Sequence, residues 1–235
     1  MYQHAPCTNR VIAADCTMHA SVTTTATLQS LAAANWWALT PADLEKIAVT
    51  LFGEKSGGWV RSGDQFVVIA SLKLGALASK LDTELTALNT NTKRILDAGG
   101  TDAAMRAAAF YHLRFENIHP LREGNGRVGR TILAAQLNQG YGISPDEFLR
   151  QLHDYGNEYK LVFASGQPPV MFELMVDLLA MLTGQALSED STKLPASILP
   201  LHPDRRPLVK NAGAHNRPLP PARPPQRNNY YRKFG

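Results

Sequence analysis

The chain has 235 residues, 44% of them hydrophobic and 19% charged, which suffices for one domain with a sizeable core and is short for two. It has no run of eighteen apolar residues, and Met1-Tyr2-Gln3-His4 lacks the basic start and apolar stretch of an export signal, so nothing in it supports membrane insertion or classical export and a cytoplasmic location is expected. The formal charge of +4 is uneven: Pro200 to Gly235 holds eight Lys or Arg against one acid, leaving 16 basic and 19 acidic residues in the rest.

Residues 1–27 end in Ser21-Val22-Thr23-Thr24-Thr25, show neither helical nor strand periodicity, and read as a disordered segment. Cys7 and Cys16, flanked by His4 and His19, are too few for a disulfide framework, and their spacing fits no standard zinc site.

The domain is expected over residues 28–184. Thr40-Pro41-Ala42-Asp43 is a helix start, with Thr40 as N-cap and Pro41 in the first turn; Leu44, Ile47, Ala48 and Leu51 follow on one face, and Gly53 stops the helix. Trp59-Val60-Arg61, a Ser62-Gly63-Asp64 turn and Gln65-Phe66-Val67-Val68-Ile69 read as a small β-hairpin. Helical spacing returns from Leu72 to Leu96 and ends at Gly99-Gly100.

An Ala-rich helix is expected from Asp102 to Asn117, capped by Thr101. A polar loop and a helix from about Gly126 to Asn138 come next, with Gly140 as the C-cap glycine. Two more helices, about Pro145 to His153 and Pro169 to Leu182, make the domain nearly all-α, a helical bundle with one β-hairpin. Residues 185–235, with Pro218-Leu219-Pro220-Pro221-Ala222-Arg223-Pro224-Pro225, read as a disordered Pro/Arg-rich basic arm.

The chemistry is concentrated in His119-Pro120-Leu121-Arg122-Glu123-Gly124-Asn125-Gly126-Arg127-Val128-Gly129-Arg130, between two expected helices. The N-terminus of the second helix offers unpaired N–H groups and the positive end of a dipole to a phosphate. Gly124 and Gly126 let the backbone approach an anion. Arg127 and Arg130, three apart, put two guanidinium groups on one face to grip phosphate oxygens. An acid in such a loop repels the ligand unless a cation lies between them, so Glu123 reads as a Mg²⁺ ligand. His119 suits a general base for an attacking hydroxyl.

This run resembles the signature of the Fic family, His-x-Phe-x-Asp/Glu-Gly-Asn-Gly-Arg-x-x-Arg, at eight of nine specified positions, with Leu121 in place of Phe. Leu39-Thr40, Gly58-x-x-Arg61, Phe148 and Tyr159 extend the likeness over about residues 38 to 184. The resemblance implies the Fic fold and a protein adenylyltransferase that moves AMP from Mg·ATP to a Ser, Thr or Tyr hydroxyl. It makes His119 the base, Glu123 the metal ligand, Gly124-Asn125-Gly126 the anion hole, and Arg127 and Arg130 the phosphate grips. It also makes the hairpin at Val67, Val68 and Ile69 a flap that holds a target protein by strand addition.

UTP or CDP-choline as donor stays open; the phosphorylating Doc branch resembles Asn-Lys-Arg where this chain has Asn125-Gly126-Arg127. The rival reading is a non-catalytic adaptor whose basic arm binds nucleic acid or protein. That arm also resembles the address tails of secreted effectors, which would mean non-classical export. Many members of the family this chain resembles carry an inhibitory helix of the form Ser/Thr-x-x-x-Glu-Gly/Asn; no such run occurs here, so the resemblance implies that either a separate antitoxin-like protein supplies the inhibitory glutamate or the enzyme is constitutively active, as a toxin or effector.

Overall fold

A computed structural model describes residues 35–62, 67–69, 72–164 and 167–188. The segments 1–27 and 189–235, with Cys7, Cys16 and the Pro/Arg-rich arm, lie outside the described residues. Seven α-helices and one pair of short strands make up the described part: α1 (Pro41–Phe52), β1 (Val67–Ile69), β2 (Leu72–Leu74), α2 (Leu81–Asp97), α3 (Ala103–Ile118), α4 (Asn125–Tyr141), α5 (Pro145–Asp154), α6 (Gly156–Ala164) and α7 (Pro168–Thr183). No helix among the described residues is long and apolar enough to cross a membrane.

Helix α3 is the axis of the bundle. Its run of alanines with Phe110, Tyr111, Leu113 and Phe115 is buried on nearly every side, the pattern of a helix enclosed by neighbours rather than laid on a surface. It packs between α2 and α4, with α7 across it; α5 leans on α4, and α6 on α7. The small alanines let these neighbours approach closely.

Helix α1 begins as its sequence requires. Thr40 Oγ1 accepts from the Asp43 N–H, Asp43 Oδ2 accepts from the Thr40 N–H at 2.8 Å, and Pro41 occupies the first turn. Gly53, at φ 83°, ends it. Gly140, expected as a cap, instead lies inside α4, where a Cβ would come within 2.8 Å of Ala104 Cβ; the capping role falls to Gly142 at φ 68°. Asp102 rather than Thr101 stands at the N-cap of α3, and no side chain caps that end. Helix α6 was not expected from the sequence: Val162 is its one buried residue, so it carries almost no amphipathic signal.

Two expectations fail between Trp59 and Leu81. Trp59–Arg61 does not pair with the strand at Val67–Ile69; that strand pairs antiparallel with Leu72–Leu74, Val68 facing Lys73. The backbone of Trp59–Arg61 is taken by distant partners: Trp59 C=O accepts from Arg122 N–H, Arg61 N–H donates to Pro120 C=O, and Val60 forms a bridge with Leu121. The helix expected from Leu72 starts only at Leu81. Gly75 lies at φ 84° against the Ile118 carbonyl, and the Ala76 carbonyl accepts from Arg61, so it is unavailable to a helical ladder. Leu81, Leu85 and Leu88, the later leucines of the run, are buried on one face of α2.

At the other end, the chain stays against the domain beyond Gly184. Ser188 Oγ donates to Asp102 Oδ2 at 3.1 Å, and Leu187 packs on the core.

Candidate active site

Helix α3 ends at His119, the one non-glycine residue with positive φ among those described (φ 52°, ψ 59°). A side chain in that region costs about 1–2 kcal/mol, so the surroundings must hold it there. They do so through Arg61. Its guanidinium, 4% exposed, donates from Nε to the His119 carbonyl at 2.6 Å and from Nη2 to the Ala76 and Ile118 carbonyls at 2.8 and 3.0 Å. The His119 N–H donates to Phe115 C=O at 2.9 Å, which closes the last turn.

His119 Nδ1 lies 3.4 Å from the Glu116 carbonyl. A carbonyl can only accept, so Nδ1 carries the proton and Nε2 keeps its lone pair. Burial, with the Arg61 charge as a smaller contribution, pushes the imidazole down to about 4, against the opposing bond to Glu116. The ring is therefore neutral at pH 7.

Beyond Pro120 the loop is pinned by Leu121, which is fully buried. Its smaller size relative to Phe has not released the loop. Asn125 reinforces the anchor: its Oδ1 accepts from Leu121 N–H at 2.8 Å and its Nδ2 donates to Leu121 C=O at 2.9 Å. The Asn125 side chain thus shapes the loop, and its backbone N–H is the group it presents at the start of α4.

Gly124 is the N-cap of α4 at φ 77°, and no side chain caps this end. The first N–H groups of α4 consequently remain available to an anion. Glycine is required at 124 twice over, by its φ and because a Cβ would lie 2.7 Å from Phe52 Cε2. Gly126 is helical, with its special role in making room: Arg130 Nη1 lies 3.2 Å from where a Gly126 Cβ would be. Arg130 thereby reaches back along α4 toward its N-terminus, as helical side chains tend to. Arg127 lies over the Phe52 ring, 4.1 Å from its centroid.

Glu123 is 59% exposed and forms an ion pair with Lys55. Lys55 Nζ also sits 4.5 Å from the centre of the Trp59 ring, and Trp59 packs on Phe52 at 4.9 Å. Nothing in the sequence marks Lys55, Phe52 or Trp59 as site residues; they lie roughly seventy residues before the loop, and only tertiary packing brings them to it. Among the described residues, no group of three or more His, Cys, Asp or Glu is placed to hold a metal ion without help.

A cleft of about 180 Å³ opens beside Arg130, lined by Leu149, Leu152, Asn157, Tyr159 and Lys160. Tyr159 is oriented by His112, whose Nδ1 faces the Gly129 carbonyl at 3.2 Å and whose Nε2 meets the Tyr159 hydroxyl at 2.8 Å. The carbonyl fixes the proton on Nδ1, so Tyr159 donates to Nε2. Burial above all, then Arg130's charge, pushes His112 down to about 3, so it is a neutral structural acceptor. Of the residues expected in the flap, Val67, Val68 and Ile69 form β1; the chain leaving β2 passes the base, the position of a Gly75 Cβ being 3.4 Å from His119 Cβ.

Residues 38–137 match the model of the Fic/DOC family. A solved structure, that of a Fic family protein from Desulfovibrio desulfuricans G20, is similar over 78% of this chain and 62% of its own, at 18% identity and a TM-score of 0.48. The chain thus spans less than two thirds of that relative's length. No curated protein matches. The helix–loop–helix of α3 and α4, with the signature in its turn, begins and for the most part lies within the segment that matches the Fic/DOC family model.

Proposed function

We propose that this chain is a protein adenylyltransferase using Mg·ATP. The observation that carries the reading is the pairing of a neutral His119, its Nε2 lone pair unspent, with the uncapped N-terminus of α4 and its two arginines one short loop away. A base and an anion seat at that separation suit attack on a phosphorus atom.

In the reaction, a Ser, Thr or Tyr oxygen of the target attacks the α-phosphorus of ATP. Its O–H bond breaks and the proton passes to His119 Nε2; the new O–P bond forms as the bridging bond to the β-phosphorus breaks and pyrophosphate leaves. The N–H groups of Asn125 and Gly126 and the guanidinium groups of Arg127 and Arg130 hold the phosphate oxygens. Arg61 keeps the imidazole at the proton. The cleft walled by Tyr159 and Asn157, beside Arg130, is where the nucleoside would extend.

The residues present fit Mg²⁺ delivered with the nucleotide. Glu123 offers one exposed carboxylate with a cation already drawn to it, and the phosphates would supply the further oxygens this ion prefers. When bound, the ion neutralises charge on the phosphates and the departing pyrophosphate. Val67, Val68 and Ile69, on a strand pair whose exit passes His119, are proposed to take the target segment as an added strand.

Purified protein incubated with a lysate and ATP labelled at either the α- or the γ-phosphate tests the reading. Label from the α-position alone, lost in His119→Ala with ATP binding retained, supports it; label from the γ-position, or wild-type labelling by His119→Ala, refutes it.

A further inference from the structure

Lys55 takes no step in the reaction above, and its position is held by the fold around it. The loop that carries it is closed by the Trp59 indole N–H, which donates to the Gly53 carbonyl at 2.8 Å. The Glu45 carboxylate accepts the Trp59 N–H and the Val60 N–H, its nearest oxygen at 2.8 Å from each. Lys55 is 28% exposed at its side chain, seated on the Trp59 ring and directed at Glu123. A lysine so placed loses less freedom on pairing than one on an open surface.

The aromatic pair behind it serves two cations. Lys55 lies on Trp59, Trp59 on Phe52, and Arg127 on Phe52, while Gly124 closes over Phe52 between them. Lys55 and Arg127 therefore bracket the Glu123–Gly124 turn from one support. Glu123 is the acid at the mouth of an anion seat, and uncompensated it would repel a polyphosphate.

We propose that Lys55 is the resident counter-cation of the site: it neutralises Glu123 when no divalent ion is bound, lets a nucleotide enter without one, and competes with the ion for that carboxylate. This rests on the reading of the Glu123–Arg130 turn as a nucleotide phosphate seat. Lys55 acts through Glu123 and is a positioning residue, touching no reacting atom. Its removal has effects of opposite sign on two binding measurements, which a general loss of structure would not produce.

The test compares wild type, Lys55→Met, Glu123→Gln and the double variant by calorimetry with ATP in EDTA, and by Mn²⁺ paramagnetic resonance with ADP present. Partly exposed ion pairs are worth up to about 1 kcal/mol, so Lys55→Met should bind metal-free ATP about threefold to fivefold more weakly. The same variant should bind Mn²⁺ more tightly by a similar factor. In the Glu123→Gln background, Lys55→Met should leave metal-free ATP binding unchanged. The proposal is overturned if Lys55→Met alters neither measurement, if both weaken together, or if its ATP loss persists in the Glu123→Gln background. Wild type that binds no ATP with or without the ion would overturn the phosphate-seat reading and this inference with it; wild type that binds ATP while Lys55→Met is silent overturns the inference alone.

Discussion

Replacing Arg61 by lysine keeps the charge and removes the fork. Three carbonyls, those of Ala76, Ile118 and His119, accept from two nitrogens of one guanidinium, and a single ammonium on a shorter reach can serve one of them well. Hydrogen bonds from a charged donor are worth about 1.5–3 kcal/mol each. Ile118 C=O keeps the Ala76 N–H as a partner, so the net loss falls near 2–4 kcal/mol. That is a large part of an ordinary domain's margin of about 5–15 kcal/mol, yet leaves it folded. The functional cost follows from the backbone. His119 at φ 52° is held by its own N–H bond to Phe115 and by Arg61 on its carbonyl. With one hold gone, the imidazole moves, and a shift of about 1 Å costs on the order of a hundredfold in rate. ATP binding should survive, because the Asn125–Leu121 clamp and the start of α4 do not use the Arg61 side chain. Urea unfolding, calorimetry with ATP and transfer kinetics at saturating ATP give the three readings. Native stability in Arg61→Lys, or a destabilised variant with native kcat, would refute the argument that Arg61 holds the base.

The rate should be level from about pH 5.5 to 8 on its acid side and fall only as pH drops through about 4, where His119 takes up a proton; an acid limb near 6.5 would contradict this. Stability carries the same sign. His112 and His119 have folded pKa values of about 3 and 4, below the ordinary 6.5, so their stabilising effect is complete above 6.5 and is lost as pH falls toward the folded values. Between pH 7.5 and 5 this amounts to about 2 kcal/mol for His112 and less for the half-buried His119, measured as the change in urea unfolding free energy, with a smaller change in His112→Gln. Gly124→Ala must either displace Phe52 from a contact of 2.7 Å or distort the cap, beyond about 1–2 kcal/mol for its positive φ. Weakened ATP binding should accompany the loss of stability, since Phe52 also carries Arg127; unchanged binding would separate that stack from the anion seat.

Much of this protein is written locally. The start and stop of α1 follow from Thr40, Pro41, Asp43 and Gly53, whose effects reach no further than a few residues. The bundle is foreshadowed by the apolar spacing in α3, α4, α5 and α7, and the site by one uninterrupted run from His119 to Arg130, because a turn between two helices brings a base and a helix N-terminus together without help from elsewhere. Tertiary structure decided what depends on partners distant in sequence. It placed Trp59–Arg61 on the loop instead of in the expected hairpin, since the carbonyl of Pro120 and the N–H of Arg122 were open to pairing and the outcome could not be read from either segment alone. It kept the first part of the regular run of leucines out of the helix, which starts only at Leu81, because Gly75 takes a positive φ and lies close against the Ile118 carbonyl and Arg61. It seated Lys55 on Glu123, a contact between residues 68 apart that leaves no periodic trace because one ion pair imposes no pattern on its neighbours.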